Sequence, residues 1–227
     1  MLSRAVGDLK PCGQICEVDK LGRLILIRHC ETDSNASGLV QGSSDLPLSV
    51  RGVVQAGLVG AHVKRHYEID MVVTSDRSRC VETANTISSS AAPTSLLREL
   101  DFGSWEGQKW SSIRSEYPED FDRLLNYDPE FAPPGGETIS SMNNRLETAI
   151  TEYDLHQPLQ TTAVVAHDGV LRFLIASILG WPSSSRENMS LFNGGISTIF
   201  FGDKVPSLDL LNHYDHLSST YEESVPN

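Results

Sequence analysis

Leu24, Ile25, Leu26 and Ile27 form an apolar run with no polar alternation, which predicts a buried central strand. The run breaks into Arg28, His29, Cys30, Glu31, Thr32, Asp33, Ser34 and Asn35. Two later segments have the same form. Ile69–Thr74 ends in Ser75, Asp76, Arg77, Ser78 and Arg79, and Thr162–Ala166 ends in His167, Asp168 and Gly169. Between them the apolar positions take helical spacing. One helix is predicted from an N-cap at Ser49 to about Tyr67, through Val53, Ala56, Val59 and Val63, and a second from Cys80 through Ile87. A third, opened by Gly136–Thr138, reaches about Leu155, and a fourth, Val170–Leu179, is stopped by Gly180 and Pro182. Strands alternating with helices predict an α/β domain with a parallel sheet.

The remaining segments are less regular. Gly38–Leu48 is rich in turn formers and reads as a surface loop. Ser95–Leu97 reads as a third short strand. From Arg98 to the Pro133–Gly136 turn the chain is irregular, with short helices at Trp110–Ser115 and Glu119–Leu125, which suggests a lid or specificity segment. Leu191–Phe201 and Ser207–Leu211 read as closing strands and Tyr214–Asn227 as a polar tail. Residues 1–22 lack periodicity and read as an extension, so a single domain is expected over 23–217, followed by a tail at 218–227.

With 39 % hydrophobic and 21 % charged residues among 227, the composition is that of an ordinary soluble domain, and no apolar run is long enough to span a membrane. Eighteen basic against 30 acidic residues give a formal charge of −12 and no basic run, which argues against nucleic acid and anionic membrane partners. Any arginine serving an anionic ligand works against this field. The four cysteines, Cys12, Cys16, Cys30 and Cys80, show neither a zinc-ribbon spacing nor a disulfide framework, so a reducing, cytoplasmic compartment is expected and no metal-ligand cluster or cofactor. A homodimer is left open.

Two strand ends bearing arginine and two bearing histidine point to an anion site at the carboxyl edge of the sheet. The residues concerned resemble the histidine phosphatase superfamily, in the branch shared with cofactor-dependent phosphoglycerate mutases. The match runs through Arg28-His29-Cys30-Glu31-Thr32 with Asn35, Gln41-Gly42 to Ser49, Thr74-Ser75-Asp76 with Arg79, Glu82-Thr83-Ala84, Glu99 to Gly107, Pro134 to Glu137, His167-Asp168-Gly169, and Leu211-Asn212 with His216-Leu217. The resemblance implies a three-layer α/β/α sandwich with a mostly parallel sheet of the phosphoglycerate mutase-like kind. It also implies a small phosphorylated metabolite as substrate, with the segments Glu99–Gly107 and Pro134–Glu137 similar to α-ribazole phosphatase and broad-specificity members.

By the same resemblance His29 is the nucleophile that forms a phosphohistidine, His167 donates to the phosphoryl group, and Arg28 and Arg79 stabilise its charge. Arg28 is also expected to disfavour protonation of His29. Glu99 takes the place of the general acid and base, with Asp101 as a competitor that reads more simply as a turn carboxylate. Asn35, Gln41, Gly42 and Asp168 are expected substrate contacts, and Asn193 and Ser197 fit either a pocket or a turn role. Cys30 and Asp168 stand where the family usually has glycine. Asp168 is expected to cap the next helix, presenting its backbone N–H to phosphate; an inward carboxylate would instead weaken phosphate affinity. Cys30 and Cys80 are read as small core residues, with thiol regulation of the pocket as the other reading. Glu106–Glu137 carries Lys109, Arg114 and Arg123 against eight acidic residues, which favours hydrolysis over mutase chemistry. A mutase and a non-catalytic phosphate-binding module are the alternatives.

Overall fold

A computed structural model describes residues 22–156, 160–202 and 205–221. The expected extension, apart from Gly22, lies outside the described residues, as do Cys12, Cys16 and 222–227 of the tail. In chain order the regular elements are β1 (Arg23–Arg28), α1 (Asp33–Ala36), α2 (Val50–His66), β2 (Met71–Ser75), α3 (Ser78–Asn85), β3 (Ala92–Thr94) and α4 (Trp110–Glu116). They continue as α5 (Pro118–Leu125), α6 (Ile139–Glu152), β4 (Thr161–Ala166), α7 (Asp168–Leu179), β5 (Ile196–Phe201), β6 (Pro206–His213) and α8 (Ser218–Tyr221). The strands form one sheet in the order β3-β2-β4-β1-β5-β6. The pairs β2/β3, β2/β4 and β1/β4 are parallel, and β5 and β6 close the far edge antiparallel.

The unbroken apolar strands follow from burial on both faces. In β1, Leu24 and Leu26 join a core with the α6 and α7 residues Leu146 and Leu174, whereas Ile25 and Ile27 join a second core with the α2 residues Val59 and Val63. Helices cover both faces of the mostly parallel sheet, the expected three-layer sandwich. Helix starts follow their caps: Ser49 Oγ accepts from the Gly52 N–H, and Thr138 caps α6 through the Ser141 N–H.

Three expectations change. Ser95–Leu97 is a 3₁₀ turn; the third strand is Ala92–Thr94, on the sheet edge where Pro93 costs no central ladder bond. The strand expected from Leu191 starts at Ile196, because Gly194 turns the chain at φ +72°. The expected polar tail contains a 3₁₀ turn, Asp215–Leu217, whose Leu217 is fully buried in the α2 core. Its apolar anchor was hidden by polar neighbours.

Candidate active site

The register of the central strands builds the site. Arg28 pairs with Ala166 across the parallel β1/β4 ladder, so His29 and His167 leave their strands side by side. Their ring centroids lie 5.2 Å apart, and both side chains are buried. The His29 N–H continues the ladder to Ala166 O at 2.9 Å. The next strand, β2, delivers Ser75 to the same edge, with its hydroxyl 2.9 Å from His167 Nε2.

His29 Nδ1 lies 2.8 Å from Cys30 O, an acceptor, so Nδ1 carries the proton and the Nε2 lone pair is left free. Burial holds this imidazole well below the usual histidine range, with Arg79 and then Arg28 adding to the effect. Arg28 therefore acts in the expected direction but is the weakest of the three causes. His167 is depressed in the same way by burial, Arg79 and His29.

Arg79 is fully buried. It donates to Ser44 O at 2.8 Å and to Gly42 O at 3.0 Å, and its Nη2 lies 3.2 Å from His167 Nδ1. It makes no ion pair with a carboxylate among the described residues, and a buried cation without one is costly unless an anion joins it. Since Arg79 can only donate, His167 Nδ1 accepts and its Nε2–H points to Ser75. Donation from Nδ1 to a phosphoryl oxygen requires the other tautomer, which Ser75 permits because a hydroxyl can turn from acceptor to donor.

Glu99 lines the same cavity of about 380 Å³ as the two imidazoles. Its oxygens accept from the Leu100 and Gly169 N–H groups, each at 3.0 Å. Burial and the nearby Asp168 nonetheless raise its pKa. A Cβ on Gly169 would come within 2.7 Å of Glu99 Oε1, so a side chain there would displace the carboxylate. Asp101 accepts from the Gly103 N–H at 2.8 Å and is a turn carboxylate.

The other expected contacts divide. Asn35 and Gln41 line the cavity, and Gln41 Oε1 accepts from the Thr32 hydroxyl at 2.8 Å. Gly42 stands behind Arg79 instead, where a side chain would collide with Leu100 O. Its contribution is the carbonyl that anchors Arg79. Asp168 does not cap α7: His167 has the extended backbone of an N-cap, and Asp168 is the first helical residue. Its carboxylate lies inward on the cavity wall, paired with Arg172 at 2.7 Å and 3.9 Å from Arg28. Arg172 offsets the repulsion that an inward carboxylate would exert on a phosphate. Asn193 Nδ2 holds His29 O at 3.0 Å, whereas Ser197 accepts from the Asn212 N–H within the sheet.

Sequence reasoning passed over two supports. Glu106 accepts from the Ser43 N–H at 2.6 Å, the Ser43 hydroxyl at 2.8 Å and the Ser44 N–H at 2.9 Å. It thereby fixes the loop whose carbonyls hold Arg79. Arg145, paired with Glu137, donates to the carbonyls of Leu96, Arg98 and Glu99 and steadies the Glu99 segment. Both act through backbone contacts far apart in sequence, so neither leaves a local motif. Cys30 and Cys80 are buried, with both thiols pushed up to about 12 chiefly by burial, which fits core packing and disfavours thiolate chemistry. The expectation that no residues share metal-ligand spacing fails outside the cavity, where His62 of α2 converges with His213 and His216. The signals were a His-x3-His pair on a helix and a His-x2-His pair after it.

Two buried imidazoles and a protonatable carboxylate on one cavity, with the buried Arg79 guanidinium against one of the imidazoles, make an arrangement suited to phosphoryl transfer. The family model of the histidine phosphatase superfamily (branch 1) matches residues 24–214, and the chain belongs to that family. It is 32 % identical over 195 residues to the adenosylcobalamin/α-ribazole phosphatase of Escherichia coli K12, covering 84 % of this chain and 95 % of that one. It is also 32 % identical over 182 residues to the probable phosphoglycerate mutase GpmB of Salmonella choleraesuis, covering 78 % and 84 %. The crystal structure of the α-ribazole phosphatase from Shigella flexneri superposes with a TM-score of 0.73 at 31 % identity, over 84 % of this chain and 96 % of that one. The protein is a histidine phosphatase. Among the described residues no helix is long and apolar enough to cross a membrane.

Proposed function

We propose that the enzyme hydrolyses a small phosphomonoester through a phosphohistidine on His29. The observation that carries this reading is the free Nε2 lone pair of a buried, neutral His29 beside His167 and Arg79, in a cavity that also holds a carboxyl group of raised pKa. His29 Nε2 attacks phosphorus and the ester P–O bond breaks. The leaving oxygen takes the proton of Glu99. Water then gives its proton to Glu99 and attacks phosphorus, the P–N bond breaks, and phosphate departs. Arg28, Arg79 and His167 meet the charge on the equatorial oxygens in both halves.

The apolar part of the cavity wall is formed by residues that include Phe102, Trp110, Phe121, Leu124, Ile139 and Met142. Such a wall suits a substrate with a flat or apolar body, of the kind represented by α-ribazole phosphate, better than a short polar one. A panel containing α-ribazole phosphate, phosphoserine and 3-phosphoglycerate, read as released phosphate, tests both points. The nucleoside-like ester should give the highest kcat/KM. A higher value for phosphoserine would overturn the substrate class, and tight binding of phosphate or vanadate with no turnover of any ester would revive the non-catalytic reading. The same proposal keeps the enzyme in a reducing, cytoplasmic compartment, supported by the free, buried thiols of Cys30 and Cys80.

A further inference from the structure

Four of the seven histidines gather away from the catalytic cavity. His62 and His66 lie one turn apart on α2, His213 is the last residue of β6, and His216 lies in the Asp215–Leu217 turn. The gathering is fixed by apolar packing, since Leu217 is buried against the core that contains Val59 and Val63 of α2. The ring centroids of His62 stand 5.2 Å from His213 and 4.8 Å from His216, with 5.7 Å between the last two. One nitrogen from each of these three lies within 4.8 Å of the others.

We propose that His62, His213 and His216 bind one divalent transition-metal ion of the zinc type, at a site separate from the phosphatase pocket. A tetrahedral ion with bonds of about 2.0–2.1 Å sets imidazole centroids about 5.2 Å apart, the middle of the observed range. Its nitrogens stand about 3.3–3.4 Å apart, so modest side-chain rotation closes the set. A set of imidazoles without thiolate or carboxylate suits zinc, copper or nickel and not magnesium or calcium. The fourth position is left to water.

The state of His216 provides independent support. Its Nε2 lies 3.1 Å from Gly194 O, which accepts, so Nε2 carries the proton. Its Nδ1 is buried and has no hydrogen-bond partner. A neutral imidazole whose one nitrogen is tied to a backbone carbonyl and whose other presents a bare lone pair is the usual second-shell arrangement of a metal-bound histidine.

The test uses the full chain, stripped of metal by chelation and dialysis, with Co²⁺ as a spectroscopic probe and Zn²⁺ as competitor. One Co²⁺ per chain should produce the visible d–d absorption of a tetrahedral site, without a thiolate charge-transfer band, and Zn²⁺ should displace it. His62→Gln and His213→Gln should each weaken binding at least about tenfold while phosphatase turnover confirms that the fold is intact. Three results would overturn the proposal: no visible absorption with Co²⁺ in excess, a thiolate band, or affinity unchanged in both variants.

Discussion

Arg79 Nη2 donates to His167 Nδ1 at 3.2 Å, and the two side chains are buried together. The guanidinium is held in place by two carbonyls and neutralised by no carboxylate among the described residues, which sets it to receive an anion. Lysine keeps the charge but cannot span Gly42 O, Ser44 O and His167 at once. Arg79→Lys is therefore expected to lower kcat/KM by about 10²–10³, the effect of losing one preorganised donor to the transition state. Steady-state kinetics on a fixed ester checks this, and near-normal turnover would remove Arg79 from the phosphoryl site.

His29→Ala should abolish turnover and leave no acid-labile phosphoenzyme when the reaction with radiolabelled substrate is quenched. The initial rate of the unmodified enzyme should persist in EDTA, because the histidine cluster on α2 lies outside the cavity that holds His29. A rate lost on brief chelation and restored by a divalent ion would contradict the phosphohistidine route.

Much of this site was legible because strand ends are local. The runs ending in Arg28-His29, Ser75 to Arg79, and His167-Asp168 put polar residues directly after β-formers, and sheet register then brought them together. The boundary errors at Ser95–Leu97 and Leu191 arose where a few apolar residues fit either a turn or a strand. Glu106, Arg145 and the tautomer of His167 were not legible, since each depends on partners 30 or more positions away. For Asp168 the inward carboxylate was the second reading; the cap expected of it is taken by its neighbour His167.

Two opposed pKa shifts set the pH profile. His29 must be unprotonated to attack, and its pKa lies well below 6.5, so the acid limb falls below that value. Glu99 must be protonated to assist departure, and its pKa lies above 4.5, so the alkaline limb falls above that value. Glu99→Gln should lower kcat/KM about 10²–10⁴-fold on an alkyl ester and erase the limb due to Glu99. An ester with a good leaving group, such as p-nitrophenyl phosphate, needs no proton and should form the phosphoenzyme at a nearly normal rate. Equal losses of phosphoenzyme formation on both esters would show that Glu99 is not the acid.

Glu106 is a positioning residue whose effect reaches the chemistry through the Ser43–Ser44 loop and Arg79. Glu106→Ala strands two backbone N–H groups, which should cost about 1–3 kcal/mol of stability by denaturant titration. The loss of activity should exceed what unfolding explains, with kcat falling more than KM rises, because the transition state relies most on Arg79. Glu106→Gln keeps an acceptor and should recover part of the loss. Equal activity per folded molecule in all three proteins would reduce Glu106 to a structural role.

The proposed hydrolysis and a mutase reaction would both pass through phospho-His29 and would differ in whether water or a substrate hydroxyl receives the phosphoryl group. A mutase must retain a doubly phosphorylated intermediate while it reorients. The lid cations cannot help: Lys109, Arg114 and Arg123 are absent from the cavity wall, and Arg123 is engaged by Asp128 at 2.7 Å. The cations on that wall are Arg28, needed for the reacting phosphoryl, and Arg172, already paired with Asp168. A second phosphate would meet Phe121, Leu124 and Met142 instead, so a bisphosphate should escape before it turns over. Water then captures the phosphoenzyme. With 3-phosphoglycerate the expected outcome is phosphate release that does not depend on 2,3-bisphosphoglycerate, and little 2-phosphoglycerate. Isomerisation faster than phosphate release, and stimulated by the bisphosphate, would assign the chain to the mutase reaction instead.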